Sequence, residues 1–483
     1  MKKSIIVKWL AMLVFALTVW ERVSAGVDDA GTVRIATFKT VISPEVGAEL
    51  CGYYANHKSV SKHDDLFAVG LCVDDGTNRI LIVSLDLLGL DGTVTEDLRR
   101  SCAAELGIRP EAVLLTCTHT HSGPESCRRS NLPESINQSY IDVLGKKLAE
   151  SSRSLKTAVW TECRVLFNSA WVDENYNRRY VAGDNTCTFI THRRELQSLC
   201  KGVADKELGL LLFYEKGRKC PVDGPVFVLA NYAAHPLAGH APGIGGLRIS
   251  ADFPGFFRSY IETEVGSGAM FVQGAAGDLI PREDELGVDA ARRVGVGLAK
   301  AAVNAMIDAQ RTPARFVVAD PHVGASLVPF SSPLRHRFRG KIQPEYCTSD
   351  DMALKIQCVS VGDCAFLGTP GELTNEMGLE IKWHSPFRKT WVAYLATGYC
   401  GYISPANFMV QGGYEPTKQM FHSQDSLAFV NAAVEALGKL RTKMFPADYT
   451  AVEPYPDCVD RPFVNMAVGV KYRSGLKTAG KEK

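Results

Sequence analysis

The chain has 483 residues, and its 54 basic and 53 acidic residues nearly cancel to a formal net charge of +1. It contains no sustained basic tract of the kind that follows a phosphate backbone, so a nucleic acid is excluded as a partner. Hydrophobic residues make up 46% of the sequence, which is typical of an ordinary globular protein.

The N-terminus has the features of an export signal. Lysines near the start precede an apolar run from Trp9 to Trp20, and the small-residue sequence Val23-Ser24-Ala25 follows. This pattern predicts a signal peptide over 1–25, cleaved after Ala25, and hence a secreted or periplasmic protein. An uncleaved anchor is the alternative, but the apolar run is shorter than the roughly 20 residues that cross a bilayer. We expect no transmembrane span after cleavage, which leaves peripheral contact with a membrane open.

Export permits disulfides, and the sequence contains 14 cysteines. They are scattered and form neither a CxxC pair nor the Cys/His spacing of a zinc finger. Cys358 and Cys364 lie on what the pattern indicates are two adjacent strands. They are candidates for a disulfide, and two buried core thiols are the alternative.

Apolar runs bounded by turns alternate with helical patterns along the chain. Strands are predicted at 80–83, 113–115, 226–229, 316–318 and 391–394. Helices are predicted at 94–106, 140–153, 290–306 and 423–440. This mixture predicts an α/β fold of mixed β-sheets layered with helices. Because no repeat or linker interrupts it, we expect a single domain over 26–445 and a C-terminal extension over 446–483.

The most distinctive local sequence is Thr118-His119-Thr120-His121-Ser122-Gly123-Pro124, which follows a strand pattern ending at Cys117. Alternation along a strand would place His119 and His121 on the same side, at the carboxyl end where sites in α/β sheets tend to lie. A metal site or an acid–base pair is one interpretation. Two packed or surface histidines are the other.

A further histidine and a Gly-rich turn follow later strands. His235 ends an apolar strand and enters a Gly-rich loop, in which His240 is a rival histidine. The turn Gly274-Ala275-Ala276-Gly277-Asp278 lacks the Lys-Ser/Thr ending of a nucleotide-binding loop. We interpret this turn as a close approach of backbone near a site.

A carboxylate and two tyrosines complete the candidate groups. Glu372 lies in a Pro-Gly turn after one strand, and Tyr399 and Tyr402 follow the strand at 391–394. Imidazoles, a carboxylate and a phenolate form a donor set that suits zinc. From spacing alone, a solvated loop acid and tyrosines packed in the core are the favoured interpretations.

Over residues 33–440 the chain resembles the N-terminal catalytic domain of the neutral/alkaline non-lysosomal ceramidases. The resemblance rests on seven motifs in the same order: Val83-Ser84-Leu85-Asp86, the His119–Pro124 sequence, Asn177-Arg178-Arg179, Ala234-His235-Pro236, Gly277-Asp278, Pro370-Gly371-Glu372 and the tyrosine segment ending at Gly413-Tyr414-Glu415. It implies a zinc-dependent hydrolase.

The resemblance also implies roles for individual residues. The zinc ligands would be His119, His235, Glu372 and Tyr402. The polar groups around the scissile carbonyl would be His121, Arg178 and Tyr414. Tyr402 is preferred to Tyr399 because its spacing to Tyr414 reproduces that of the ceramidases, and Asp86 is expected to support the site without binding the ion.

The implied reaction is cleavage of the N-acyl amide of ceramide-like lipids by a zinc-bound hydroxide. Glu125 and Ser126 replace glycines of the ceramidases, and Leu279-Ile280-Pro281-Arg282 replaces a Ser-Pro-Asn run. The chain ends soon after Tyr414, so we expect a catalytic domain without the C-terminal β-sandwich of full-length ceramidases. A zinc amidase or esterase acting on another substrate is one alternative function, and a non-catalytic exported metal-binding protein is another.

Overall fold

The computed structural model describes residues 30–52, 57–128, 136–190, 194–217, 224–239, 247–282, 286–338, 347–348, 351–422, 424–446, 463–465 and 470–472. The predicted signal peptide and His240 lie outside these residues, as does most of the predicted C-terminal extension. None of the helices in the described ranges combines the length and the hydropathy needed to cross a bilayer.

An eight-stranded mixed sheet forms the centre of the fold. In spatial order its strands are Gly268–Gln273, Phe227–Tyr232, Glu207–Glu215, Thr161–Trp171, Val33–Val41, Phe67–Asp74, Arg79–Leu85 and Val113–Cys117. The outermost pair at each edge is parallel, and the pairs between them are antiparallel. The strands at the two edges contact each other, so the sheet curls as well as twists. Ser84 Oγ near one edge donates to the carbonyl of Phe271 at the other.

A five-stranded sheet packs against the first. It consists of Val323–Pro333, Asp351–Val361, Cys364–Gly368 and Lys389–Ala393, with Cys347–Thr348 paired to Asp351–Val361. Short two-stranded pairs join Glu372–Leu373 to Tyr402–Ile403, Asn175–Asn177 to Leu279–Pro281, Arg179–Val181 to Cys187–Phe189, Ser61–Lys62 to Arg248–Ile249, and Phe463–Asn465 to Val470–Tyr472. The first three of these pairs lie among the candidate site residues.

Helices cover the outer faces of both sheets. The longer ones are Gly92–Leu106, Gln138–Ser154, Asp252–Tyr260 with a π-helical turn at Ile261–Val265, Val288–Arg311, Asn375–His384 and Asp425–Met444. The shorter ones are Pro110–Ala112, Arg194–Gln197, Pro313–Phe316, His336–Phe338, Ala406–Gln411 and Tyr414–Lys418. Between the sheets lies an apolar core that includes Leu229, Phe366 and Trp391. The order of layers is helices, large sheet, small sheet, helices, which confirms the predicted α/β layering.

Local chemistry explains where several helices begin and end. Asn137 accepts a hydrogen bond from the backbone N–H of Tyr140 at 3.1 Å, which satisfies a donor that the first helical turn leaves unpaired. Gly107 adopts a left-handed conformation with φ 66° after Leu106 and ends that helix. These signals are local, so the predicted helices correspond to helices in the structure.

One predicted strand is wrong. Residues 316–318 were expected to form a strand, but Pro313–Phe316 is a short helix and Val317 forms only an isolated bridge with Leu166. Proline is well suited to the first turn of a helix because its N–H is not required there. The apolar run is therefore the end of a short helix followed by residues that pack in the core. It is too short to add a strand to the sheet.

Cys358 and Cys364 are both buried free thiols. Cys364 is the register partner of Val361, whereas Cys358 is opposite Leu367. Side chains alternate between faces along a strand, so the two sulfurs lie on opposite faces of the small sheet. The open choice between a disulfide and core thiols is thus resolved in favour of core thiols.

Candidate metal centre

The loops that follow several strands converge on one buried cluster of polar side chains. The strand before the histidine motif ends at Cys117, and His119 lies beyond it in a left-handed conformation with φ 70°. The expectation that strand alternation aligns His119 with His121 is therefore wrong. A turn brings the two rings together, with 4.9 Å between their centroids.

His119 and His235 are each held by a backbone carbonyl. Nδ1 of His119 lies 2.7 Å from the carbonyl oxygen of Leu88, and Nδ1 of His235 lies 2.6 Å from that of Ala276. A carbonyl oxygen can only accept, so each Nδ1 carries a proton, and in the neutral imidazole each Nε2 then presents a lone pair. Both residues are 1% exposed.

Glu372 faces these two lone pairs. Its Oε2 lies 3.4 Å from Nε2 of His119 and 3.2 Å from Nε2 of His235. The hydroxyl of Tyr399 donates to Oε1 at 2.9 Å, and the hydroxyl of Tyr394 donates to Oε2 at 3.2 Å. The residue is 2% exposed, so the interpretation of Glu372 as a solvated loop acid is wrong.

His121 joins the same cluster from the more open side. Its Nε2 lies 3.3 Å from Nε2 of His119, and donor atoms of His119, His121 and His235 all lie within 4.8 Å of one another. The ring packs against Gly52, which has φ +97°, and a Cβ at this position would overlap the imidazole. The backbone approach that brings His121 into the cluster therefore requires glycine.

The donor set fits a bound cation. Burial lowers the pKa of His235 to about 4, with the negative charge of Glu372 opposing it, so the imidazole is neutral near pH 7. A carboxylate and imidazole lone pairs then face each other with no proton between them. Ligands about 2.0–2.2 Å from a tetrahedral zinc lie roughly 3.3 Å apart, which matches the spacing of these atoms.

Tyr402 lies beside Glu372 and is linked to Arg178. Tyr402 and Glu372 are register partners of a short parallel strand pair. The guanidinium of Arg178 donates to the Tyr402 hydroxyl at 3.3 Å and to the Gly277 carbonyl at 2.8 Å. Burial and the negative charge of Glu372 raise the pKa of Tyr402 well above its usual value. A phenolate at this position therefore requires a bound cation.

Tyr414 stands at the rim of the cluster. Its ring lies 5.6 Å from that of Tyr402 and stacks on Phe189 at 5.9 Å. The Arg178 guanidinium carbon is 5.7 Å from the Tyr414 ring centre. Tyr414 is 41% exposed, so it is the predicted site residue most accessible to a molecule arriving from solvent.

The Gly277-Asp278 turn connects the two sides of the cluster. Gly277 donates its backbone N–H to the carbonyl of Leu373 at 2.9 Å. The Asp278 carboxylate accepts from the backbone N–H of Asn375 and from Asn177 Nδ2, both at 2.7 Å. Burial, joined by the charge of Glu415, raises the pKa of Asp278 to about 6. The turn is a close approach of backbone, as predicted.

Asp86 supports the histidine motif from behind. Its Oδ1 accepts from Arg258 at 2.9 Å and from the hydroxyl of Thr118 at 3.3 Å. Both residues of the Asp86–Arg258 pair are buried. Asp86 holds the chain just before His119.

Three residues of the cluster were not predicted to act there. Glu415 holds the two arginines, accepting from Arg178 at 2.9 Å and from Arg179 at 2.6 Å. Tyr399 was weighed only as a rival of Tyr402, and Tyr394 was included in a strand core. The sequence signal of the two tyrosines is position alone, because both follow the strand at Lys389–Ala393 within a few residues.

No family model and no curated protein matches the sequence. Among solved structures, the neutral ceramidase of Pseudomonas aeruginosa matches with a TM-score of 0.69 and 17% identity, covering 85% of this chain and 75% of that one. A ceramidase solved in complex with C2 matches with a TM-score of 0.67 and 16% identity, with the same coverage. The chain has the neutral ceramidase fold. The structural similarity confirms the resemblance that the seven motifs indicated.

Proposed function

We propose that the protein is a zinc-dependent amidohydrolase that cleaves the N-acyl amide of ceramide-like lipids. The observation that carries the proposal is the convergence of His119 Nε2, His235 Nε2 and Glu372 Oε2 within 3.4 Å. Arg178 and Tyr402 lie immediately beside them. This cluster sits in a fold shared with ceramidases.

The proposed ligands are His119, His235, Glu372 and Tyr402. Imidazole nitrogen and carboxylate or phenolate oxygen suit zinc, and the first three are already orientated by carbonyl or tyrosine partners. When bound, zinc supplies a coordinated water with a pKa near 7 and polarises a carbonyl. Tyr402 is the ligand whose binding depends on loss of its own proton.

Three further polar residues, His121, Arg178 and Tyr414, would act on the substrate. His121, beside the ligand cluster and against Gly52, is placed to take a proton and return it to the leaving amine. Arg178, held by Glu415, would donate to the oxygen that gains negative charge. Tyr414, at the open rim, would orient the amide before cleavage.

A second ligand set is favoured by one observation. His121 lies as close to His119 as the spacing of zinc ligands requires, so a three-histidine site with Glu372 is geometrically consistent. In that arrangement Tyr402 would keep its proton and hydrogen-bond Arg178. The zinc content of His121→Ala and Tyr402→Phe separates the sets, because only the variant that lacks a ligand loses bound metal.

The choice of substrate depends on the fold similarity and on two positions near the motifs at which the chain differs from the ceramidases. Glu125, which replaces a glycine of the ceramidases, is buried. Arg282, after the Gly277-Asp278 turn, is half-exposed and pairs with Asp173 at 3.2 Å. Both departures put a charged side chain close in sequence to a site motif, so a zinc amidase or esterase for another substrate is the second candidate. Export through the predicted signal peptide is part of the proposal in either case.

The experiment is hydrolysis of a fluorescent short-chain ceramide and of matched amides and esters, with and without a zinc chelator. Glu372→Ala removes a ligand, and Glu376→Ala is the matched control because Glu376 faces a separate cavity of about 250 Å³ beside Arg179. The proposal predicts turnover of ceramide that chelation and Glu372→Ala abolish and Glu376→Ala preserves. Zinc-dependent turnover of another amide or ester alone would favour the second candidate. Bound zinc without turnover of any substrate would favour a non-catalytic metal-binding protein.

A further inference from the structure

Two buried cysteines pack beside the cluster of proposed zinc ligands. They are not Cys358 and Cys364, the two residues that the sequence suggested for a disulfide. Cys51 and Cys127 are both 0% exposed, and their Sγ atoms are 3.9 Å apart. They pack with Leu88, whose carbonyl holds His119, and with the ring of Tyr399, which donates to Glu372. The pair therefore adjoins the residues that orient two proposed zinc ligands.

The backbone around both cysteines is fixed. Cys51 donates its N–H to the carbonyl of Gly123 at 2.8 Å, and Leu50 forms an antiparallel bridge with Pro124. The segment before Cys127 is tied by the hydroxyl of Ser126, which donates to the Gly89 carbonyl at 2.7 Å. The two sulfurs are thus presented to each other by paired backbone, and they must close from 3.9 Å to about 2.05 Å to form the bond.

We propose that Cys51 and Cys127 form a disulfide when the chain folds in an oxidising compartment. Two S–H bonds break and one S–S bond forms. The two electrons and two protons pass to a disulfide of a thiol-oxidising protein or of glutathione, which is reduced to thiols. Because both sulfurs are buried in the folded protein, oxidation precedes the final packing, and the finished bond is shielded from reductants.

The disulfide would clamp two segments that shape the cluster. Gly52, next to Cys51, is the glycine against which the His121 ring packs. Cys127 closes the loop that follows the histidine motif, and the cross-link spans 76 positions of sequence. A covalent tie of this span would remove conformations from the unfolded chain and would also limit opening of the loop that carries His119 and His121.

The test maps the thiols of the full chain directed to the periplasm of a bacterial host. The purified protein is alkylated without reduction, digested, and analysed by mass spectrometry. The expected result is a peptide linked through Cys51 and Cys127 that separates into two after reduction. Alkylation of both residues, or a link from Cys51 to Cys117 or any other cysteine, would overturn the assignment. The map requires no bound metal, so it remains decisive even if the zinc proposal fails.

A second measurement compares two double variants. Cys51→Ala/Cys127→Ala removes the pair, and Cys358→Ala/Cys364→Ala removes two buried thiols that lie on opposite sheet faces. The first should lower Tm on the order of 5 °C more than the control. It should also release metal to a chelator about tenfold faster. Equal Tm shifts and equal release rates in the two double variants would contradict the clamp.

Discussion

The two sides of the candidate centre are built differently. On the inner side, His119, His235 and Glu372 are almost wholly buried, and each is held by a carbonyl or a tyrosine hydroxyl. On the outer side, Tyr414 and Phe189 stack at the rim with more than two fifths of each residue exposed. The inner side has the rigidity that a metal site needs, whereas the outer side offers contacts to an arriving molecule.

Under the proposed function, ion binding and substrate handling would belong to separate parts of the chain. Segments that follow the sheet strands supply the inner side, while Arg178 lies between two short strands and Tyr414 begins a short helix, all outside both sheets. Arg178 bridges the two because it contacts both Tyr402 and Glu415. Variants of the inner side should therefore change metal content, and variants of the outer side should change turnover alone.

The largest effect is expected at the two neighbouring histidines. His119→Ala removes an inner ligand, so we expect loss of bound zinc and of hydrolysis. His121→Ala should keep zinc and lower kcat by about 10²–10³, because a proton-transfer group is lost. Metal analysis and steady-state kinetics on the same preparations measure both quantities. Loss of zinc in both variants would mean that His121 also binds the ion. That result would favour the three-histidine site over the separation of ligands from substrate-handling residues.

Tyr414→Phe tests the outer side. Removal of the hydroxyl should leave the zinc content and Tm unchanged, since the ring still stacks on Phe189. A decrease in kcat of about 10²-fold is expected from loss of one hydrogen bond to the reacting amide. Phe189→Leu is the control, because it disturbs the stack and leaves the hydroxyl in place. A reduced zinc content in Tyr414→Phe would show that the rim also holds the ion.

Asp278 links the two sides of the centre by accepting hydrogen bonds from Asn177 and Asn375. Its titration should make the stability of the protein depend on pH. Its pKa is raised from 3.8 to about 6 in the folded state, so the folded state holds the proton more tightly than the unfolded state. The associated stability is fully present below pH 3.8 and is lost as the pH rises through 6. Relative to Asp278→Asn, the metal-free protein should lose about 3 kcal/mol of unfolding free energy across this window. Urea unfolding at a series of pH values measures it, and parallel curves for the two proteins would refute it.

The smallest effect is expected at Tyr399. Tyr399→Phe removes one hydrogen bond to Oε1 of Glu372 but retains the ring that packs against Cys51, Leu88 and Cys127. Zinc affinity should fall by about tenfold, as is usual when an outer partner of a ligand is removed, with little change in Tm. Competition with a chromophoric chelator measures the affinity. An unchanged affinity would mean that Tyr394 alone suffices to hold the carboxylate.

The layered fold could be predicted from the sequence because periodic apolar runs and helix signals are local. It failed at 316–318, where a short apolar run could not be distinguished from the end of a helix. It also misjudged the geometry of His119, since a left-handed residue after a strand breaks the alternation that a strand pattern assumes.

The candidate site was harder to predict because its parts are far apart in the chain. His119 and Glu372 meet only after the edges of the large sheet approach each other and the small sheet packs against it. Resemblance supplied that long-range information, whereas periodicity could not. The pairing of Cys51 with Cys127 and the contacts of Glu415 had no local signal, since each depends on a neighbour distant in sequence.

The most direct test of the central claim is titration of the metal-free protein with Zn²⁺ by calorimetry near neutral pH, followed by the hydrolysis assay. The account predicts one tightly bound zinc per chain in the wild type, none in Glu372→Ala, and recovery of hydrolysis in step with zinc occupancy. Equal zinc binding by the two proteins, or hydrolysis that persists in the metal-free wild type, would contradict it.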